Sequence, residues 1–208
     1  ALAVDFDGAI YVGGSASGRL PLDGQWFDRG EGDAFISKYN QDGTKAWTRG
    51  LGTSRYDSIN AITIGLDGSI YASGETGGSV DGQPFNSGHF LTKFSTDGTK
   101  VWTRMLGSSL GLGLSNFPNS ITTGLDGFIY ICGYTDSSMD QQPSSKGRDA
   151  FLTKYSTDGS KIWTILIASD KSDLAYALAT GLDGLSTLAE QQKAHWMVKL
   201  HWVPMTSL

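Results

Sequence analysis

One seven-residue pattern occurs three times along this chain of 208 residues, and it constrains the fold more than any other feature. Residues 33–39 read Asp-Ala-Phe-Ile-Ser-Lys-Tyr, and related heptads lie at 88–94 and 149–155. Each heptad is followed by an Asp-Gly pair and then by Lys and a tryptophan, namely Trp47, Trp102 and Trp163. Self-similarity at a fixed interval is typical of proteins built from stacked units, so the chain is a repeat protein.

A second phrase, Gly-Leu-Asp-Gly, lies at 65–68, 124–127 and 181–184, with an Asp-Phe-Asp-Gly relative at 5–8. The two phrases recur together every ~55–60 residues, a spacing that suits one four-stranded unit per repeat. Within 33–75, alternating residues predict strands over 34–39, 45–51, 58–64 and 69–73. Asp-Gly pairs between them predict tight hairpin turns, because both residues tolerate a positive φ.

Four short strands per repeat, joined by tight turns, predict an all-β chain of the β-propeller class, with about 3.5 to 4 repeats. We take 33–75 as one blade. The recurring tryptophans Trp47, Trp102 and Trp163 are the predicted core between neighbouring blades.

The phrases D-A-F-[IL]-[ST]-K-[YF]-x-x-D-G-x-K-x-W-T and G-L-D-G-x-I-Y resemble the bacterial β-propeller repeats known as SBBP repeats. The resemblance covers roughly residues 1–184 and recurs in register. It implies a secreted or cell-surface module, often part of a larger bacterial protein. It also implies a scaffold that has no common enzymatic activity and whose ligand varies.

The pattern fails after Gly184. Residues 185–208 lack the I-Y-x-x-G phrase expected there and form a degenerate terminal repeat. Residues 196–200 still resemble the recurring heptad, so this segment is a candidate ring-closing strand for the repeats of 1–184. The alternative is half of a larger propeller, whose open strand edges would favour self-association. The chain opens within a repeat and without Met, which indicates a processed chain or a fragment.

The composition of the chain limits the classes of partner that it is expected to bind. The net charge is −5, and the 16 basic residues are scattered rather than clustered, which disfavours nucleic acid. No stretch approaches the ~18 consecutive apolar residues of a membrane helix, so no membrane span is expected. The single Cys132 takes a position held by Gly13 and Ser73 in other copies, and we interpret it as a small packing residue.

Six residues are candidates for ligand binding. Alignment on Gly-Leu-Asp-Gly places Asp57, Asn116 and Asp173 in one equivalent position before a strand, where a ring of polar groups could hold a small ligand. The alternative is that these side chains cap loops by accepting hydrogen bonds from backbone N–H groups.

The other three candidates are aromatic residues in the long loops, Trp26, Phe27 and Phe85. Exposed rings beside Gln and Asp suit stacking on sugars or contact with a protein, so a glycan or protein ligand is predicted. The alternative is that the rings pack beneath their own loops as a small satellite core.

No cofactor or metal site is predicted. Asp5-Phe6-Asp7-Gly8 is the best local candidate for calcium, but Asp5 is replaced by glycine in the other copies, which favours structural turns. No catalytic constellation is found, since the three histidines do not recur and no nucleophile motif is present. The predicted function is therefore a non-enzymatic binding or structural scaffold, extracellular or at the cell surface. The alternative is a propeller enzyme that degrades polysaccharide through Asp residues near a channel mouth.

Overall fold

The computed structural model describes residues 1–18, 20–22, 25–27, 31–81, 88–106, 116–145, 147–181 and 186–192. These ranges contain strands and turns and no helix, and accordingly no helix that could cross a membrane. The strands are β1 (Leu2–Val4), β2 (Ile10–Ala16), β3 (Leu20–Leu22), β4 (Gln25–Phe27), β5 (Asp33–Tyr39), β6 (Lys45–Leu51), β7 (Asp57–Ile64), β8 (Ile70–Thr76), β9 (Gly88–Phe94), β10 (Lys100–Met105), β11 (Asn116–Thr123), β12 (Ile129–Thr135), β13 (Asp149–Tyr155), β14 (Lys161–Ile167), β15 (Asp173–Thr180) and β16 (Ser186–Gln192).

Three antiparallel sheets have four strands each. Their orders are β1-β2-β5-β6 in sheet 1, β7-β8-β9-β10 in sheet 2 and β11-β12-β13-β14 in sheet 3. Strands β15 and β16 form a two-stranded sheet, and β3 and β4 form a separate hairpin. A four-stranded antiparallel sheet repeated along the chain is the blade of a β-propeller, so the predicted fold class is confirmed.

The sequence repeat and the structural blade are out of phase, which corrects the assignment of 33–75 to one blade. In that interval β5 and β6 close sheet 1, whereas β7 and β8 open sheet 2. Each sequence repeat therefore joins two neighbouring sheets. The hydrophobic pattern of a strand determines which of its faces is buried, but it does not determine which strand pairs with it. The sequence alone therefore did not decide how the strands are grouped into sheets.

The chain divides into two compact units, Ala1–Pro118 and Asn119–Leu208. In the first unit, one face of sheet 1 packs on β7 and its neighbours to form an apolar core that includes Tyr11, Ile36, Ile59 and Phe90. Gly13 permits this close approach, since a Cβ there would lie 2.7 Å from Ile59 Cγ2. In the second unit, the smaller core contains Tyr130, Leu152 and Leu178. Cys132 is buried in it, as its small-residue position predicted.

The tryptophans share one arrangement within their sheets but differ in burial. Trp47, Trp102 and Trp163 each lie 6.0 Å, centroid to centroid, from a tyrosine of the same sheet. Trp47 is 7% exposed and also meets the next sheet, where a Cβ on Gly98 would lie 3.0 Å from its ring. The predicted inter-blade position is thus confirmed for Trp47. Trp102 and Trp163 are half-buried.

Six of the seven predicted Asp-Gly turns lie in the described residues, and each of their glycines has a positive φ, between 76° and 83°. The Asp side chains close the turns. In the turn between β1 and β2, for example, Asp7 Oδ1 accepts the Ala9 N–H at 2.9 Å. Gly184 and residues 195–202, which include the candidate ring-closing strand, lie outside the described residues. Residues 186–192 form β16 although they lack the I-Y-x-x-G phrase.

Candidate functional site

The candidate position formed by Asp57, Asn116 and Asp173 lies where an inner strand begins after a connection from the preceding sheet. Asp57 opens β7 and Asp173 opens β15, and their side chains are 1% and 0% exposed. Asn116 opens β11, but its side chain lies outside the described residues. The two aspartates belong to different compact units.

Both described carboxylates bind the loop that precedes them. Asp57 Oδ2 accepts the Thr53 N–H at 2.6 Å and the Thr53 hydroxyl at 3.0 Å, and the hydroxyl of Thr76 also donates to Asp57. Asp173 Oδ2 accepts the Ser169 N–H at 2.6 Å, and its Oδ1 accepts the Ser169 hydroxyl at 3.1 Å. These are the loop-capping bonds of the structural alternative, and a ligand would have to replace them to reach the carboxylates.

The structure reveals a local signal that the sequence analysis missed. Thr53 and Ser169 each stand four residues before the aspartate that they bind, and Ser145 stands four residues before Asp149. Asp149 is fully buried at the start of β13, and its Oδ2 accepts the Ser145 N–H at 2.8 Å. The pattern [ST]-x-x-x-D therefore marks loops in which a carboxylate satisfies a backbone N–H that would otherwise be unpaired.

The same end of the first unit contains a buried histidine. His89 follows the first residue of β9 and is 4% exposed, in a position occupied by Ala34 and Ala150 in the other copies. Its ring lies edge-on to Phe117, with 5.1 Å between centroids, and Glu75 is its cross-strand partner on β8. Burial lowers the pKa of His89 to about 4, and neither ring nitrogen has a hydrogen-bond partner among the described residues. The side chain is therefore neutral at physiological pH.

The aromatic candidates lie in the connections between the second and third strands of their sheets. Trp26 and Phe27 belong to β4, whose partner β3 packs against β6, the outer strand of sheet 1. The side chains of Trp26 and Phe27, and the whole of Phe85, lie outside the described residues. For these three residues the binding role stays a prediction.

The equivalent connection in sheet 3 shows one task that such a segment performs. Gln142 Nε2 donates to the Thr164 carbonyl at 2.7 Å, and Gln142 Oε1 accepts the Leu166 N–H at 3.0 Å. One amide side chain thereby pairs with the outer edge of β14 as a further strand would. Gln25 and Gln83 hold the corresponding sequence positions, one residue before Trp26 and Pro84.

A small polar cleft lies in the first unit beside these connections. Its volume is about 200 Å³, and it is lined by Gly50, Leu51, Gly52, Ser79, Val80, Asp81 and Lys100. Asp81 adopts a left-handed backbone with φ of 53° and pairs with Lys100 across the cleft. Burial raises the pKa of Asp81, but the hydrogen bonds from Lys100 and Thr103 have a larger opposite effect. The pKa of Asp81 is therefore below its usual value. The cleft thus offers a fixed carboxylate and ammonium pair to a small hydroxylated group.

A second ion pair recurs on the sheet surface. Lys93 Nζ lies 3.4 Å from Asp67 and 5.2 Å above the ring of Tyr71, and Lys154 Nζ lies 2.9 Å from Asp126 in the equivalent place. Burial raises the pKa of Asp67, but the hydrogen bonds from Ser69 and the positive charge of Lys93 together outweigh the effect of burial. The pKa of Asp67 is therefore lowered. Repetition of the same pair in both units indicates a structural element of the repeat.

None of these arrangements places a nucleophile beside a base. Burial raises the pKa of Cys132 to about 12, which keeps its thiol protonated. Among the described residues, no group of three His, Cys, Asp or Glu side chains is placed to hold a metal ion. Asp5 and Asp7, the calcium candidates, accept N–H groups of their own turn, from Phe6 at 2.7 Å and Ala9 at 2.9 Å.

Comparison with known proteins adds a family and one curated relative. Residues 101–138 match the family model SBBP, described as a beta-propeller repeat. The regulatory protein FlaEY of Caulobacter vibrioides is 28% identical over 171 residues, which are 74% of this chain and 17% of that protein. The chain therefore spans about a sixth of the length of this relative.

Two solved structures are similar at low identity. A luciferin-regenerating enzyme matches with a TM-score of 0.47 and 12% identity, over 93% of this chain and 55% of that one. A protein of unknown function from Bacteroides caccae matches with a TM-score of 0.38 and 10% identity, over 85% of this chain and 64% of that one. Both TM-scores lie below 0.5, so the fold assignment rests on the observed sheets and the family match. The predicted resemblance to SBBP repeats is confirmed by the match of residues 101–138 to the model of this β-propeller repeat.

Proposed function

We propose that this chain is a non-enzymatic β-propeller module that serves as a binding or structural scaffold, exported or displayed at a bacterial cell surface. The observation that carries the proposal is the use made of its buried carboxylates. Asp57, Asp149 and Asp173 each bind a backbone N–H of the preceding loop. These aspartates are the kind of residue that a polysaccharide-degrading enzyme uses, but here their carboxylates are hydrogen-bonded to the loops that precede them.

The connections between the second and third strands of the sheets differ between copies. Residues 24–27 read Gly-Gln-Trp-Phe, whereas the equivalent residues 141–144 read Gln-Gln-Pro-Ser. A constant framework with variable loops is the usual arrangement of a binding scaffold. The curated relative is named a regulatory protein, which agrees with a role in contact rather than turnover.

We propose a glycan or a protein as the ligand, contacted by Trp26, Phe27 and Phe85. Aromatic rings stack on sugar rings, and the Asp81–Lys100 pair of the polar cleft suits hydroxyl groups.

The test is retention of the purified full chain on immobilised bacterial and plant polysaccharides, with reducing-end release measured on the same samples. Retention without release supports the scaffold, and the double variant Trp26→Ala/Phe27→Ala should lose retention while keeping its circular dichroism spectrum. Lys100→Met, which removes the ammonium group of the cleft, should weaken retention. Lys161→Met is its matched control, since Lys161 makes the equivalent ion pair with Asp140. Release of reducing ends would contradict the proposal and support the enzyme alternative.

A further inference from the structure

Two buried polar side chains on one face of sheet 2, His89 and Ser73, have no hydrogen-bond partner. His89 is 4% exposed and Ser73 is 0% exposed, and both ring nitrogens and Ser73 Oγ are unpaired. The two residues share a face because Ser73 pairs with Leu91, which lies two residues along β9 from His89. We call this the histidine face of sheet 2. Unpaired buried polar groups destabilise a fold, so the arrangement needs a reason other than packing.

The other copies of the repeat pack the same positions without these polar groups. The equivalent residues are small, namely Ala34 and Ala150 for His89, and Gly13 and Cys132 for Ser73. A Cβ on Gly13 would lie 2.7 Å from Ile59 Cγ2 of β7, and Cys132 shares a core with Leu178 of β15. The positions therefore face the inner strand that opens the next sheet, and small residues are sufficient there.

The start of β11, the next inner strand after sheet 2, is held differently from the starts of β7 and β15. At β7 and β15 an aspartate accepts the N–H of the residue four positions earlier. β11 begins with Asn116 instead, and Leu112 stands four positions before it, so the [ST]-x-x-x-D pattern is missing. Phe117, the second residue of β11, packs edge-on against the His89 ring, with 5.1 Å between centroids. His89 thus contributes to the contact that holds this strand start.

Among the described residues of the first unit, no carboxylate is bonded to His89. Glu75 is its cross-strand partner on β8, but neither ring nitrogen bonds to it. The other charged side chains on the histidine face are basic, Lys93 of β9 and Arg104 of β10. Residues 116–118 and the sequence segments 82–87 and 107–115 contain no titratable side chain. A proton on the buried ring would therefore lack a bonded counter-ion, which is strongly unfavourable.

We propose that His89 makes the contact between sheet 2 and the start of β11 an acid-sensitive switch. The neutral ring packs against Phe117 and keeps the contact closed. The protonated ring requires water or a counter-ion, and it obtains water when the start of β11 moves away from the histidine face. The switch goes beyond the proposed function and does not depend on what the scaffold binds.

The size of the effect follows from proton linkage. Burial lowers the pKa of His89 to about 4 in the closed contact, whereas an exposed ring has the ordinary value of 6.5. Protonation therefore favours the open contact between these two values, and the opening constant should rise about tenfold for each pH unit below 6.5 until pH 4. Between pH 7.5 and pH 5.0 the expected rise is about 30-fold.

The test measures how often the position of Ser73 becomes accessible, through the labelling of a thiol placed there. Ser73→Cys introduces the residue that sheet 3 already has at Cys132, which is buried and serves as the internal reference. Both thiols are labelled with a disulfide reagent at pH 7.5 and at pH 5.0, at a concentration low enough that reclosing is faster than labelling. Peptide mass spectrometry gives the ratio of the two labelling rates. The ratio should rise about 30-fold at pH 5.0, because the intrinsic pH dependence of thiol labelling is common to both sites and cancels.

Two further variants separate the switch from other effects of acid. Ser73→Cys/His89→Ala carries alanine as the other copies do, and its ratio should not change with pH, although His195 and His201 remain. Ala72→Cys places the thiol on the opposite face of β8, where Ala72 is 0% exposed in the core with sheet 1. Its labelling relative to Cys132 should stay nearly constant, because that core stays closed.

Three results would overturn the proposal. These are a constant ratio for Ser73→Cys, a rise that persists without His89, and an equal rise for Ala72→Cys, which would show that the whole first unit unfolds. If circular dichroism shows that Ser73→Cys does not fold, the unmodified chain provides a second measurement. Hydroxyl-radical oxidation of Phe117 should increase from pH 7.5 to pH 5.0 while Phe90, buried on the opposite face of sheet 2, stays protected. Unchanged oxidation of Phe117 would equally overturn the proposal.

Discussion

Removing the carboxylate of Asp57 should destabilise the first unit, because the carboxylate holds the loop before β7. The Asp57→Ala change leaves the Thr53 N–H, the Thr53 hydroxyl and the Thr76 hydroxyl without their acceptor. Hydrogen bonds to a charged acceptor contribute more than neutral ones, but Thr53 is only partly buried and water can replace some bonds. We expect a loss of about 3 kcal/mol in the free energy of unfolding.

The assay is urea unfolding at neutral pH, followed by tryptophan fluorescence and circular dichroism. Asp57→Asn keeps one acceptor oxygen for the Thr53 N–H and should lose about half as much. Asp42→Ala is the matched control, because Asp42 accepts the same kinds of bond from Thr44, at 2.9 and 2.6 Å, but in an exposed turn. Its loss should be clearly smaller.

The reasoning fails if Asp57→Ala is no more destabilising than Asp42→Ala. A variant more stable than the wild type would instead identify Asp57 as a carboxylate held in place for a ligand, because binding residues are often retained at the expense of stability.

Three further perturbations test the packing and the electrostatics. His89 has a pKa of about 4 in the folded chain and 6.5 as its ordinary value, so the unfolded chain binds a proton that the folded chain does not. The free energy of unfolding should therefore fall by about 3 kcal/mol as pH drops from 6.5 to 4. His89→Ala should flatten this part of the plot of unfolding free energy against pH, measured by urea titration, and parallel plots for variant and wild type would contradict the reasoning. Trp47→Ala should lower the free energy of unfolding by about 3–5 kcal/mol, and Trp163→Ala by about half as much, because Trp163 is only half-buried. Equal losses for the two variants in denaturant unfolding would refute this difference. Gln142→Ala should speed amide exchange at Leu166 and promote aggregation by opening the edge of β14, whereas unchanged exchange would show that this bond does not protect the edge.

The features of the fold predicted most accurately from the sequence were local ones. The alternating heptad and the Asp-Gly turns specify β5 and β6 to within a residue, because side-chain alternation and positive φ depend on adjacent residues. The candidate position at Asp57 and Asp173 was also located from the repeats. Its hydrogen bonds were foreseen only as an alternative, since the partner of a buried carboxylate depends on the path of the loop.

The sequence by itself determined the repeat, the strands and turns within it, and the kind of surface each strand carries. Tertiary structure decided which strands share a sheet, and it placed the boundary between sheets in the middle of the sequence repeat. It also decided that Gln142 closes the edge of β14. These outcomes depend on contacts between residues far apart in the chain, and the equivalent positions in each copy have nearly the same sequence. Their differences arise from the neighbour that each sheet meets.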